Sequence, residues 1–292
     1  MKKTSMADFK ITKRKKTFVL VVPRFEDIFN SFYSGEVIKG VTAAASRLGI
    51  DILVHLTDRN DHQTWLSSSL LNYQPIDGVI FADIDNDLNV VKRVIRKGIP
   101  VIILNNYLKQ PINCISIDNY KAGAEAAEIF VKNKHTRIAT IAGEQRTQAG
   151  QTRLMGFCDA LKTMGIDVPK NYIAFGDFLR TPARKAAEKL LDLKNPPTAI
   201  FAASDVMALE VMDVALGKKI KIPEELSLIG FDDNPLAFTA SISLSTFAQP
   251  IGDMGRLGVE HLKKLNEGKE PFPFKLMLPA VYVSRNSVSK IK

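Results

Sequence analysis

Residues 113–133 read "NCISIDNYKAGAEAAEIFVKN", and the fold turns on where this stretch places a boundary. Its first half is a short apolar strand. Its second half, from Asn119, is a helix with small and apolar residues on one face. What precedes it is already a complete α/β unit. "TFVLVV" (17–22) is a continuous apolar, β-branched run, the pattern of a strand covered on both faces. "SGEVIKGVTAAASRLG" (34–49) places Val37, Val41, Ala44, Ala45 and Leu48 at helical spacing and stops at Gly49. "IDILVHL", "DGVIFA" and "IPVIILN" then read as strands, separated by the helices "HQTWLSSSLLNY" and "NVVKRVIRKG".

After Asp118 the alternation starts afresh. The strands "RIATIAG", "YIAFGD", "TAIFAAS" and "LSLIGFDD" alternate with helical segments, one of them opened by Thr181 as N-cap and Pro182 as first residue. Two successive βαβ series predict an α/β fold of two doubly wound parallel-sheet lobes. The late helix "PIGDMGRLGVEHLKKLN" (250–266) has no sheet of its own in chain order, so it is expected to cross back to the first lobe. The terminal strand "FKLMLPAVYVS" (274–284) is then expected to return to the second. Crossings near Asp118, Gln249 and Pro273 make a hinge, and a cleft between the lobes is where a small ligand would bind. The boundaries are therefore residues 17–117 with 250–272 for one lobe, 118–249 with 273–292 for the other, and 1–16 as a basic arm.

The charge follows the same division. The 292-residue chain carries a formal +9, but residues 1–16 hold seven cations against Asp8 alone, so the arm supplies +6 and the rest only +3. A nearly neutral body with a basic tail reads as a soluble domain plus arm, not as a nucleic-acid-binding surface. Two widely spaced cysteines, Cys114 and Cys158, form no metal knuckle or disulfide framework and suit a reducing compartment. The first apolar run is too short for a signal peptide, and no stretch reaches the ~20 apolar residues of a membrane span, so a cytoplasmic location is expected without membrane contact.

No catalytic constellation emerges. His55, His62, His135 and His261 are isolated, and the chain contains no nucleophile elbow, Walker loop or dinucleotide fingerprint. The string "DIDND" sets Asp83, Asp85 and Asp87 at alternate positions, but Leu88 and Val94 stand where a calcium loop needs its glycine and closing acid. It reads as the polar rim of a cleft, not a metal site. No cofactor is expected. What remains are polar and aromatic residues at the C-terminal ends of strands: Tyr33, Asp58, Asn105 with Asn106, Arg153, Phe178, Ser204, Asp205, Asp232 with Asp233, and Gln249 at a crossing. An arginine fork, carboxylates for paired hydroxyls and a ring for an apolar face suit a polar small molecule.

At these residues the chain resembles the lactose/galactose-repressor (LacI/GalR) family of bacterial transcriptional regulators, in its periplasmic-binding-protein-like sensor core. The resemblance covers roughly residues 17–285, and the combination of "SIDNYKAG", "ASDVMAL" and "LIGFDD" carries it. It implies a homodimeric, non-enzymatic sensor that closes on a sugar-like or nucleoside-like effector. The family's effector-binding arginine falls on Arg153, its carboxylate on Asp232, its aromatic on Phe178 and its polar crossing residue on Gln249. The aromatic near the first helix falls on Tyr33, with Phe32 and Ser34 as alternatives. Two departures mark the pocket: Asn105-Asn106 where the family has Asp-Arg, and Ser204-Asp205 where it has Asn-Asp. Residues 1–16 lack the apolar face of a helix-turn-helix headpiece, so DNA contact is expected only through a headpiece or partner outside this chain. A solute-binding protein for a transporter and an enzyme on the same scaffold are the rival readings.

Overall fold

A computed structural model describes residues 14–24, 31–58, 75–84 and 88–291; the predicted helix at 62–73 lies outside them. Strand β1 (Thr17–Arg24) is an interior strand of the first sheet, apolar on both faces. Phe18, Leu20 and Val22 point to one buried layer, Val19 and Val21 to the other. Helix α1 (Phe32–Leu48) is capped by Ser31, whose hydroxyl accepts from Ser34 N–H, and ends at Gly49 in the left-handed region (φ 66°). There follow β2 (Asp51–Asp58), β3 (Gly78–Phe81), α2 (Asn89–Arg96), β4 (Val101–Leu104) and β5 (Asn113–Ile117).

The second series comprises α3 (Asn119–Lys132), β6 (Ile138–Ala142), α4 (Gln148–Thr163), β7 (Ile173–Phe175), α5 (Arg180–Leu191), β8 (Ala199–Ala202), α6 (Asp205–Gly217) and β9 (Ser227–Ile229). These strands form a four-stranded parallel sheet in the order β7-β6-β8-β9. Short helix α7 (Pro235–Thr239), strand β10 (Thr246–Ala248), helix α8 (Ile251–Asn266) and strands β11 (Lys275–Leu278) and β12 (Val281–Val283) complete the described chain.

Helix α8 does lie against α1. A Cβ on Gly40 would fall 2.0 Å from the Gly252 carbonyl oxygen, so the two helices meet backbone to backbone there. The terminal segment departs from expectation. It is two strands, and β11 stays with the first sheet, giving the parallel order β11-β5-β4-β3-β1-β2, with Lys275 opposite Cys114 and Leu278 opposite Ile117. The chain therefore leaves this sheet after Leu278 and not at Pro273. Pro279 has no N–H to extend the ladder, and β12 resumes as the antiparallel partner of β10. Helix α5 also begins earlier than expected: Leu179 is its extended N-cap residue, so Thr181 and Pro182 fall inside the first turn. Proline is tolerated there because those amides have no intrahelical partner.

The C-terminal tail is pinned to the second sheet by His135, which is 3% exposed. One ring nitrogen meets the Thr198 hydroxyl at 3.0 Å; the other meets the Ser227 hydroxyl and the Ser289 carbonyl, each at 3.0 Å. Burial holds the ring's pKa below 6.5, against the upward pull of the Ser289 carbonyl. The unfolded chain takes up this proton near pH 6.5 and the folded chain does not. The contact's stabilisation is therefore full above pH 6.5 and declines as pH falls below it. His135→Leu is expected to cost about 1–3 kcal/mol at pH 7.5, because it strands buried hydroxyls. It should also flatten this part of the pH dependence, read by urea unfolding at pH 7.5 and 5.5.

Candidate functional site: a cleft between the two sheets

The C-terminal ends of both parallel sheets open onto one cavity of about 520 Å³. The first series contributes Ser31, Phe32, Tyr33, Asp83 and Asn105; the second contributes Arg153, Phe178, Ser204 and Asp232; Gln249 comes from the crossing after β10.

Arg153 on α4 is the centre of this arrangement and is 2% exposed. Its Nε and Nη2 donate to Asn119 Oδ1 at 3.1 and 2.6 Å, and its Nη1 donates to the Ala203 carbonyl. The guanidinium carbon lies 3.4 Å from the centroid of the Phe231 ring, which itself stacks on Phe247. Burial lowers the guanidinium pKa to about 10, against the opposing pull of Asp232, Asp205 and Asp83. Three of its five N–H donors are thus used to hold it, and one on each terminal nitrogen remains for the cavity.

The "GFDD" turn presents Asp232 beside it. Asp232 and Asp233 both have positive φ (119° and 58°), a backbone that non-glycine residues adopt only where the surroundings enforce it. Asp205 is what enforces it. Fully buried at the start of α6, it accepts from the Asn234 N–H at 2.8 Å and the Thr246 hydroxyl at 2.6 Å. Gly230 allows this approach, since a Cβ there would lie 2.2 Å from Asp205 Oδ1. Burial and the neighbouring Asp232 push the Asp205 carboxyl well above its ordinary pKa. Asp232 accepts from Gln249 Nε2, and Asp233 pairs with Arg285.

Across the cavity, Asn105 sits at positive φ (65°), and its side-chain oxygen is buried with no protein partner; Gln249 Oε1 is in the same state. The Tyr33 hydroxyl donates to the Ala82 carbonyl. Phe178 also has positive φ (62°), and its ring covers Gly143, where a Cβ would lie 2.0 Å from Cζ.

The structure thus brings Tyr33, Asn105, Arg153, Phe178, Ser204, Asp232 and Gln249 to one cavity. Asp205 lies beneath it, both oxygens engaged, and not on its wall. Asn106 also turns away: its amide pairs with Ile84 N–H and C=O at 3.1 and 3.2 Å. Asp58 ends β2, and its side chain lies outside the described residues, as do Asp85 and Asp87 of "DIDND". Asp83 of that string does line the cavity. Among the described residues, no three His, Cys, Asp or Glu side chains gather as metal ligands. Ser204 caps α6 by accepting from Met207 N–H while facing the cavity.

A periplasmic binding protein-like domain model matches residues 127–288. The HTH-type transcriptional regulator DegA of Bacillus subtilis (strain 168) is 34% identical over 283 residues, 96% of this chain and 82% of that protein. The chain belongs to the LacI/GalR family. The HTH-type transcriptional repressor CytR of Escherichia coli (strain K12) is another member similar to it, 34% identical over 244 residues, 82% of this chain and 70% of that protein. Among solved structures, a transcriptional regulator CelR–cellobiose complex superimposes with a TM-score of 0.86 at 28% identity, covering 94% of this chain and 85% of that one. A putative LacI regulator from Bacillus cereus subsp. cytotoxis gives a TM-score of 0.89 at 26% identity, covering 96% and 100%.

Within this LacI/GalR frame, residues that sequence reasoning missed line the cavity: Ser31, Leu179, Arg180, Val206, Asn234 and Leu236. Only Ser31 and Asn234 carry a sequence signal, as N-cap types ahead of helical runs. Of the candidates around the first helix, Phe32 and Tyr33 both line the cavity, whereas Ser34 is fully buried away from it.

Proposed function

We propose that this chain is the effector-sensing core of a LacI/GalR-type regulator, non-enzymatic and cytoplasmic, acting as a homodimer on a neutral, hydroxyl-rich molecule of sugar or nucleoside type. The observation that carries this is the pattern of open hydrogen-bonding capacity around one cavity. Arg153 keeps two N–H donors, while Asn105 Oδ1 and Gln249 Oε1 are buried acceptors with no protein partner. A polyol supplies acceptors to the first and donors to the other two, and its ring lies against Phe178. Effector binding that favours the closed lobes over the open ones shifts the population, and lobe orientation is what a DNA-binding segment would sense.

Titration calorimetry against cellobiose, D-ribose and adenosine tests the ligand class. Binding of a neutral hydroxylated ligand with 1:1 stoichiometry supports the reading; binding restricted to apolar ligands overturns it. The affinity should depend on pH. Burial raises the Asp232 carboxyl to about 6, with Arg153 and the Gln249 amide pulling it down. As pH falls through 6 the carboxylate stops accepting from the ligand, so affinity should drop several-fold between pH 7.5 and 5, and Asp232→Asn should remove that slope. Stability has the opposite sign for this group: a raised folded pKa favours the fold below the unfolded value near 3.8 and loses that contribution as pH rises through about 6.

A further inference from the structure

We propose that Gln148 is a positioning residue that clasps the two lobes together across the cleft before any effector arrives. Gln148 is the first residue of α4, next to cavity-lining Ala149 and on the same helix as Arg153. Its side-chain amide meets the backbone of Tyr107 twice: Tyr107 N–H donates to Gln148 Oε1 at 2.6 Å, and Gln148 Nε2 donates to the Tyr107 carbonyl at 2.9 Å. Tyr107 belongs to the opposite lobe, in the loop between β4 and β5, two residues beyond Asn105.

The Tyr107 loop is itself anchored on its own lobe. Lys275 of β11 donates to the Leu108 carbonyl and, at 3.3 Å, to the Lys109 carbonyl, and its ammonium stands 5.7 Å from the centre of the Tyr107 ring. One residue before Tyr107, Asn106 holds the Ile84 backbone through a second two-point amide pairing. The segment that carries Asn105, and the loop that carries Asp83, are thereby fixed to one firm body, and Gln148 fastens that body to α4 and Arg153.

A side-chain amide that satisfies both polar groups of one backbone unit imitates a strand pairing. It breaks only if the lobes separate or the side chain swings into water. The closed arrangement is thus favoured by the chain's own groups, and effector has less reorganisation to drive. Neither Gln148 nor Tyr107 lines the cavity, so the clasp acts on affinity through lobe position and not through ligand contact.

The test needs no effector, so its outcome is independent of which molecule binds. Spin labels at Lys92 on α2 and Lys185 on α5, both exposed and one on each lobe, report the interlobe distance by double electron–electron resonance. The chain carries Cys114→Ala and Cys158→Ala and is diluted with unlabelled protein. The parent should give one dominant short distance. Gln148→Ala should raise the share of a longer distance about tenfold, the order expected from losing two neutral hydrogen bonds. Gln148→Glu keeps the acceptor but opposes a carboxylate to the Tyr107 carbonyl, and should open the cleft likewise at pH 7.5; it serves if the alanine variant folds poorly. A parent dominated by the long distance, or parent-like distances in both variants, overturns the proposal.

Discussion

Replacing Arg153 with methionine is expected to lower effector affinity by about two orders of magnitude or more while leaving the chain folded. Removing one partner of a buried, charge-assisted contact costs ~2–5 kcal/mol of binding, and Arg153 is both a donor to the cavity and the neighbour that draws down Asp232. Without it, Asp232 keeps only the Gln249 amide, and its carboxyl rises beyond about 6. At neutral pH the site then loses its acceptor as well as its fork. Stability responds differently. The guanidinium is desolvated, as its lowered pKa shows, so methionine of similar length relieves that cost while it forfeits the contacts to Asn119 and Ala203. The forfeited contacts outweigh the relief, because Asn119 Oδ1, the Ala203 carbonyl and the Asp232 carboxyl stay buried without their donor, and a net cost of about 3 kcal/mol follows. Calorimetry and urea unfolding on the same preparation separate the two quantities. Arg153→Lys should recover little, because an ammonium cannot reach Asn119 and the ligand with a planar fork. Undiminished affinity in the methionine variant would remove Arg153 from the site.

The sequence was most legible where one physical demand governs a whole segment. A strand buried on both faces must be apolar throughout, so β1 could be recognised from "TFVLVV" alone. The restart after Asp118 could be recognised too, because a second βαβ series leaves no other way to bury two sets of parallel strands. Strand β11 was not legible as part of the first sheet. It is an edge strand, partly exposed, and its alternation suits either lobe; only the ladder to β5 decides, and that pairing spans more than 150 residues. Asp205 and Asn106 show the limit within the site. Each is the right residue type at the right end of a strand, yet each spends its hydrogen bonds on shaping a neighbouring turn. Residue type cannot separate a group that faces the ligand from one that holds such a group in place. The Gln148 clasp left no trace in the pattern, since its partner is backbone and carries no identity of its own.

Glycine 123, in the middle of "SIDNYKAG", joins the stability of the second lobe to the geometry of its cleft, and Gly123→Ala should damage both. Helices α3 and α4 cross here with backbone against backbone. A Cβ on Gly123 would lie 2.1 Å from the Arg153 carbonyl oxygen, and one on Gly156 would lie 2.0 Å from the Tyr120 carbonyl oxygen. Both obstacles are main chain, so no side chain can swing aside, and the helices must move apart. Overpacking of this kind costs ~1–3 kcal/mol, and more where backbone has to shift. Gly123 has ordinary helical geometry, so alanine's better helix propensity works in its favour and offsets at most about 1 kcal/mol. Displacement falls on Arg153 first, because its own carbonyl is the point of contact. Asn119, one turn earlier on α3, is what holds its guanidinium, so separating the helices lengthens those bonds at once. The expected result is a lowered urea midpoint together with effector affinity reduced at least tenfold in the fraction that remains folded. Gly156→Ala provides the comparison: it forces the same helices apart one turn further along α4, against Tyr120, and should cost similar stability with a smaller effect on affinity. Equal affinity losses in the two variants would show that the cleft senses helix separation as a whole, and a larger loss at Gly123 that it senses the position of Arg153.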